Sequence, residues 1–327
     1  MSAPPLLAPL ATGEPKNEAT RNAYGNALLE LGEANPEIVV LDADLSGSTK
    51  TKAFSKAYPK RFFNMGVAEA NMIGVAAGLA SQGLTAFASS FAMFATGKAY
   101  EQIRQSVCVP NLNVKVCATH AGLTVGEDGK SHQMLEDVTL MRVIPNMKVM
   151  VPADAVEARQ CIHAAAKIEG PVYVRLSRAS TPIVFADSYE FVFGKAALLR
   201  EGTDLAIIAM GVTVAPAMEA AEALAREGIQ ARVLNMSTIK PLDVEAITRA
   251  ASDCGAILTV EEHQENGGLG DAVAQAVVLN HPVPMKMCAM HDQFGQSGTG
   301  DELLAHYGLH AAGITASAKE LMKRKGA

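Results

Sequence analysis

The chain has 327 residues, enough for two domains at roughly 100–200 residues each. Nearly half of it is hydrophobic (49%) and only 19% is charged, which excludes a disordered chain and supplies ample core. A net charge of −6 leaves no basic surplus for a nucleic-acid backbone, so no DNA or RNA partner is expected.

Residues 1–15 are Pro-rich and read as a loose segment; with no basic region before an apolar run, they are not expected to be a signal peptide. Thr20 precedes a helical pattern over 22–31 that closes near Gly32. "EIVVLDAD" (37–44) is a short apolar run ending in two carboxylates, as a buried strand with a functional loop behind it would be. A helix rich in small residues is predicted over 65–83, a strand over 85–91, a helix over 100–107 and a strand over 113–120 that delivers His120. "KVMVPAD" (148–154) is a further strand, after which Asp154 caps a helix that stops near Gly170. "PVYVRLSR" (171–178) is a strand ending in Arg178.

Residues 180–196 break this rhythm, and a second series follows: strands over 204–211, 231–237, 256–262 and 284–290, with helices over 213–227, 243–251 and 267–280 and further helices at the end. The alternation predicts an α/β fold of two domains, each a mostly parallel sheet with helices on both faces. The expected organisation is a loose segment 1–15, a first domain 16–185, a linker 186–196 and a second domain 197–327. Five widely spaced cysteines without a CxxC read as buried thiols in a reducing compartment. No apolar run reaches the roughly 18 residues of a membrane span, so the expectation is a cytoplasmic protein without a membrane partner.

In open α/β sheets the ligand crevice lies beyond the carboxyl ends of the strands. Asp42, Asp44, Phe91, His120 and Arg178 all fall at such ends in the first domain. His120 and His132 offer acid–base groups near neutral pH. Arg21 and Arg178 suit a phosphate or carboxylate. Glu69, in an otherwise small and apolar helix, is a candidate buried carboxyl that shares a proton with a ligand nitrogen. Taken singly, each histidine is more often structural or solvated, and an arginine at a strand end is usually a surface ion pair.

The combination changes that balance. "FFNMGVAEANMIGVAAGLA", "SSFAMF", "THAGLTVGEDGKSHQ", "RVIPNMKVMVPAD" and "VYVRLSR" stand in one order. Together they resemble the C-terminal half of transketolases, thiamine-diphosphate enzymes that move two-carbon ketol units between sugar phosphates. The resemblance is strong over the pyrimidine-binding domain and weaker over the domain that follows.

It implies that Glu69 hydrogen-bonds a ring nitrogen of the cofactor's aminopyrimidine, favouring the imino tautomer that takes a proton from the thiazolium carbon. Phe91 and Phe94 then stack on and flank the pyrimidine; on their own they read as core aromatics. The family's tyrosine three residues beyond the second Phe is absent; Gly97 stands there, and whether Tyr100 replaces it is left open. His120, Asp128 and His132 match polar residues on the donor sugar. His120 corresponds to a phosphate or hydroxyl contact, Asp128 to the carboxylate that reads a sugar hydroxyl, and His132 to the histidine placed for proton transfer. Arg21, Ser48 and Arg178 complete the implied phosphate clamp, and Asp44 matches a residue near cofactor and dimer contact. Glu127 and Gln133 are left as supporting residues.

The family also needs a diphosphate-binding domain with a GDG motif and a divalent metal. No such motif is present, so no metal ligand is assigned here. The resemblance therefore implies the smaller subunit of a split transketolase, working with thiamine diphosphate and with Mg²⁺ held by a partner chain, in an α2β2 assembly. A 1-deoxyxylulose-5-phosphate synthase-like chain, a 2-oxoacid dehydrogenase E1 β-like subunit and a non-catalytic partner-binding subunit are the alternatives. "EEHQENGGLG" (261–270) has neither metal-ligand spacing nor a dinucleotide context, and reads as a helix entry and interface segment.

Overall fold

The computed structural model describes residues 16–325, so the expectation for residues 1–15 lies outside it. Strands β1 (Asn17–Ala19), β2 (Ile38–Asp42), β3 (Phe62–Asn64), β4 (Thr85–Phe91), β5 (Val114–Thr119), β6 (Lys148–Met150), β7 (Val172–Arg175) and β8 (Ser180–Pro182) come first. Strands β9 (Ala197–Arg200), β10 (Leu205–Ala209), β11 (Ala231–Asn235), β12 (Thr238–Lys240), β13 (Ile257–Gln264) and β14 (Met285–Met290) follow. They form two main sheets, of order β12-β6-β7-β5-β4-β2-β3 and β14-β13-β10-β11-β9, with β1 and β8 paired apart. Within the main sheets every pairing is parallel except β12 on β6 and β9 on β11. The central strands are buried along their whole length, as continuous Val, Ile, Leu and Ala runs require when helices cover both faces.

One face of the larger sheet packs beneath helices Thr20–Ala34 and Ala155–Lys167 through Tyr24, Leu28, Phe87, Ile162 and Val174. The other face packs against helix Glu69–Ser81 through Leu41, Ile73 and Ala76. That second cluster does not stop at the domain edge: Met141, Ile144 and Val149 share it with Ile208, Met236 and Ile247. The far face of the smaller sheet is closed by helices Val214–Arg226 and Ala311–Lys325 through Leu224, Ile314 and Leu321.

The two parallel sheets agree with the α/β prediction, and local features depart from it; β3, β9 and helix Asp137–Val143 have no predicted counterpart. The helix predicted from residue 65 begins at Glu69, because Met65 N–H still bonds the Asp42 carbonyl (2.8 Å) and prolongs the β2–β3 pairing. The helix predicted over 100–107 is a short α turn, Tyr100–Gln102, between two π-helical segments, Met93–Lys98 and Ile103–Cys108. In the first of these the Thr96 hydroxyl donates to the Ala92 carbonyl (2.7 Å), a back-bond of the kind that bends helices. β8 arises inside the irregular stretch 180–196 by pairing with β1. β12 was not anticipated at all: the chain returns from the second sheet to cover β6, which would otherwise be an open edge.

All five cysteines are buried with free thiols. No helix among the described residues is long and apolar enough to cross a membrane.

Asp154 caps its helix as predicted, accepting Glu157 N–H at 2.9 Å. Its other oxygen accepts Val184 and Phe185 N–H (2.7 and 2.8 Å), fastening the segment between the sheets. Asp154→Ala is therefore expected to cost about 3 kcal/mol and Asp154→Asn about half of that, read from urea titrations at unchanged slope.

Candidate active site at the carboxyl ends of the strands

β7, β5, β4 and β2 are neighbours and run in parallel, so the loops after them open into one crevice. Asp42 closes β2 and builds the loop behind it, accepting Leu45 N–H and the Thr49 hydroxyl at 2.6 Å and the Thr51 hydroxyl at 2.9 Å. It is a scaffold carboxylate, and burial raises its pKa. Asp44, in a left-handed conformation (φ 65°), accepts from Asn64 Nδ2 at 2.9 Å at the surface. Phe91 closes β4. His120 follows β5 at φ 57°, an uncommon conformation for a side chain of this size. That turn lays its ring on Phe91, with centroids 3.7 Å apart and planes 18° apart.

Arg21 enters from the first turn of helix Thr20–Ala34, and Thr20 ties that turn to the β7 loop by accepting Ser177 N–H at 2.7 Å. Arg21 Nη1 donates to the Ser48 carbonyl (3.0 Å) and lies 3.3 Å from His120 Nε2. Its Nε is buried without a hydrogen-bond partner. Arg178 donates to the Val125 carbonyl and ion-pairs Glu127 (3.2 Å) and Asp128 (3.7 Å). The four predicted clamp residues thus belong to one cluster. Asp128 sits at its rim on Arg178.

Burial first, and then Arg21, Arg178, His132 and Lys50, push the His120 pKa down to about 3. Against the expectation of an acid–base group near neutral pH, this direction favours a neutral imidazole among cations. Burial and Arg178 likewise lower the Arg21 pKa. The carboxylates described at this cluster, Glu127 and Asp128, lie on Arg178, and the rest of it is cationic, as suits an anionic group. Lys50 escaped the sequence reading because only the left-handed turn after the short helix Ser46–Thr49 (φ 72°) brings it here.

A second group gathers around Phe91 and Phe94. Phe94 runs nearly parallel to Phe91, with centroids 5.9 Å apart and planes 16° apart. His132 meets Phe94 edge-on at 5.4 Å, with Nδ1 on the Ser131 hydroxyl at 2.9 Å. Glu69, the first residue of its helix rather than an interior one, is buried with its carboxylate 3.7 Å from Lys98 Nζ. That ammonium also lies 4.8 Å from the Phe94 ring centroid. The Lys98 cation therefore marks a slot in which a buried carboxylate and an aromatic face serve the same positive group. This donor set fits a protonated aromatic amine such as an aminopyrimidine. A side chain at Gly97 would meet only Met93, at 3.8 Å, while Tyr100 packs against the core. Among the described residues no three His, Cys, Asp or Glu are grouped to hold a metal ion.

Gln133 forms the inner spine of the loop, with Nε2 donating to the carbonyls of Leu123 (3.2 Å), Gly126 (3.3 Å) and Gln296 (3.0 Å). Glu127 is an exposed ion-pair partner.

The depressed pKa of His120 has a pH signature. Below about 6.5 the unfolded chain binds a proton at this residue that the folded chain refuses until about pH 3. Its contribution therefore lowers stability progressively as pH falls through that window. His120→Gln is expected to reduce the acid-side loss of stability relative to the unaltered chain, measured as urea midpoints between pH 7 and 4.

Comparison with known proteins accords with this geometry. Residues 16–183 match the family model "Transketolase, pyrimidine binding domain", and residues 194–314 match "Transketolase, C-terminal domain". A 6-deoxy-6-sulfo-D-fructose transketolase subunit of Clostridium sp. (strain MSTE9) is 43% identical over 305 residues, covering 93% of this chain and 95% of that protein. A solved structure titled "Split gene transketolase, inactive beta4 tetramer" superposes with a TM-score of 0.88 at 52% identity, covering 94% of this chain and 99% of that one. The transketolase of Leishmania mexicana superposes with a TM-score of 0.82 at 28% identity, covering 97% of this chain but only 47% of that longer one. The chain belongs to the transketolase family and comprises its pyrimidine-binding and C-terminal domains.

Proposed function

We propose that this chain is one subunit of a two-chain transketolase, active with a partner that carries the diphosphate and Mg²⁺ ligands. The observation that carries this reading is the meeting, at Phe91, of a cluster of cations with a carboxylate–aromatic pair. The first suits the charged end of a sugar, the second an aminopyrimidine. Thiamine diphosphate, when bound, supplies the nucleophilic carbon for moving a two-carbon ketol unit. This chain's residues do the rest. Glu69 holds a proton against a ring nitrogen. Phe91 and Phe94 present apolar faces that exclude water. His132, its Nδ1 engaged by Ser131, offers Nε2 for proton transfer at the sugar. Arg21, Ser48, His120 and Arg178 receive the terminal anion, and Asp128 on the rim reads a hydroxyl.

The relatives support a split arrangement. One is named a transketolase subunit of similar length, and the isolated β4 assembly of another is titled inactive. The sulfo-sugar in the first name makes a terminal sulfonate a second candidate anion beside phosphate. An α2β2 assembly in the cytoplasm is the setting proposed, and the five free buried thiols suit a reducing compartment.

The test mixes the chain with a partner bearing a GDG-type motif, thiamine diphosphate and Mg²⁺, and follows ketol transfer from xylulose 5-phosphate to ribose 5-phosphate. Activity is expected only in the mixture. Full activity of the chain alone would overturn the split reading. A mixture silent with every sugar phosphate and sulfo-sugar tried would overturn the ketol-transfer reading. Glu69→Ala is expected to remove about a thousandfold or more of kcat. Arg21→Ala and Arg178→Ala are each expected to raise the donor KM about tenfold to a hundredfold with a smaller change in kcat.

A further inference from the structure

The segment EEHQENGGLG is taken up by the fold in two directions. Successive side chains on a strand point to opposite faces. Glu261 turns toward its own domain: its two carboxylate oxygens accept Leu269 and Gly270 N–H, each at 2.7 Å, and a Cβ at Gly268 would overlap the one that serves Leu269. The glycines there make room for a helix cap, not for a ligand. His263 is buried at the seam, with Nδ1 on the Gln264 carbonyl at 2.8 Å and Nε2 3.9 Å from Asp137.

Glu262 points the other way, into the first domain. One oxygen accepts both Thr124 N–H and the Thr124 hydroxyl at 3.0 Å, and the other lies 3.4 Å from Arg175 Nη1. Arg175 is itself held by Asp137 (2.8 Å) and reaches the Met134 carbonyl (3.4 Å), while Tyr173 donates to Asp137 at 2.5 Å. All these side chains are buried. A Cβ at Gly122 (φ 79°) would overlap the Glu262 carboxylate, so the loop has been shaped around it.

Thr124 stands between His120 and Asp128. The neck of the loop is closed by the Ala121–Met134 bridge and by Gly122 N–H on the Met134 carbonyl (2.9 Å). Its middle is held by the Gln133 spine, by Arg178 on Val125, Glu127 and Asp128, and by contacts from the C-terminal domain. There Gln296 takes the Gln133 amide, and Ser297 leaves no room for a side chain at Gly129.

We propose that Glu262 is a positioning residue. From the C-terminal domain it holds the His120–Gln133 loop in the shape that presents His120, Asp128 and His132 to the crevice. For the consequence at the sugar this rests on the functional reading above; the loop's order does not. The full-length chain is compared with Glu262→Ala and Glu262→Gln by amide hydrogen exchange and by calorimetric titration with inorganic phosphate.

In Glu262→Ala, exchange over 121–133 is expected to rise about tenfold or more, with β10 and β13 unchanged and phosphate affinity about tenfold weaker. Glu262→Gln keeps an acceptor for Thr124 and is expected to recover most of both. Thr124→Val, which removes one of the two bonds without touching a charge, is expected to raise loop exchange about threefold and covers the case in which Glu262→Ala does not fold. Unchanged loop exchange in both Glu262→Ala and Thr124→Val, or a rise shared by the whole chain, would overturn the proposal; where Glu262→Ala does not fold, unchanged loop exchange in Thr124→Val overturns it alone. Failure of the unaltered chain to bind phosphate counts against the anion cradle alone, because loop exchange decides the positioning role by itself.

Discussion

The stacking of His120 on Phe91 joins two kinds of chemistry that would otherwise be separate. Arg21, Arg178 and Lys50 gather about His120, and Phe94 and His132 about Phe91, with Lys98 linking Phe94 to the Glu69 carboxylate. An imidazole that took a proton near neutrality would add a further charge to an already cationic wall. Burial against the phenyl face keeps it neutral, so the ring serves as both a hydrogen-bonding group and a spacer. The left-handed turn at His120 makes the stack possible, and the parallel strands on either side hold that turn in place.

Much of this was legible in the residues. Apolar runs bounded by glycine and capping residues located the central strands, and the strand ends named Phe91, His120 and Arg178 as neighbours before any coordinates. Asp154 was legible as a cap because an aspartate before an apolar helical period has few other uses. What escaped was non-local. β12 joins a sheet some ninety residues back in sequence, and only the open edge of β6 explains it. Lys50 and Lys98 reach the site through a left-handed turn and a π-helical segment, neither of which has a periodic signature. Glu262 looked like part of a helix entry because Glu261 beside it is one; period-two alternation sends the two carboxylates to different domains.

The seam between the domains follows the same logic of buried charge. Asp137, Arg175 and Glu262 exclude water together, and burial raises the Glu262 pKa despite Arg175 beside it. A network of this kind adds little to net stability compared with apolar packing, but it tolerates only one register of the two surfaces. The shared apolar cluster of Met141, Ile144, Met236 and Ile247 supplies adhesion, and the charges supply alignment.

The strand that crosses back has a consequence for how such a gene can be divided. β12 lies in the second half of the sequence yet finishes the sheet of the first half. A cut in the segment between the sheets would strip β6 of its cover and leave a bare row of backbone donors and acceptors, a template for fibrils or for swapped dimers. The two domains are thus a single inheritable piece. Recombination that respects solubility has to pass around this pair rather than through it.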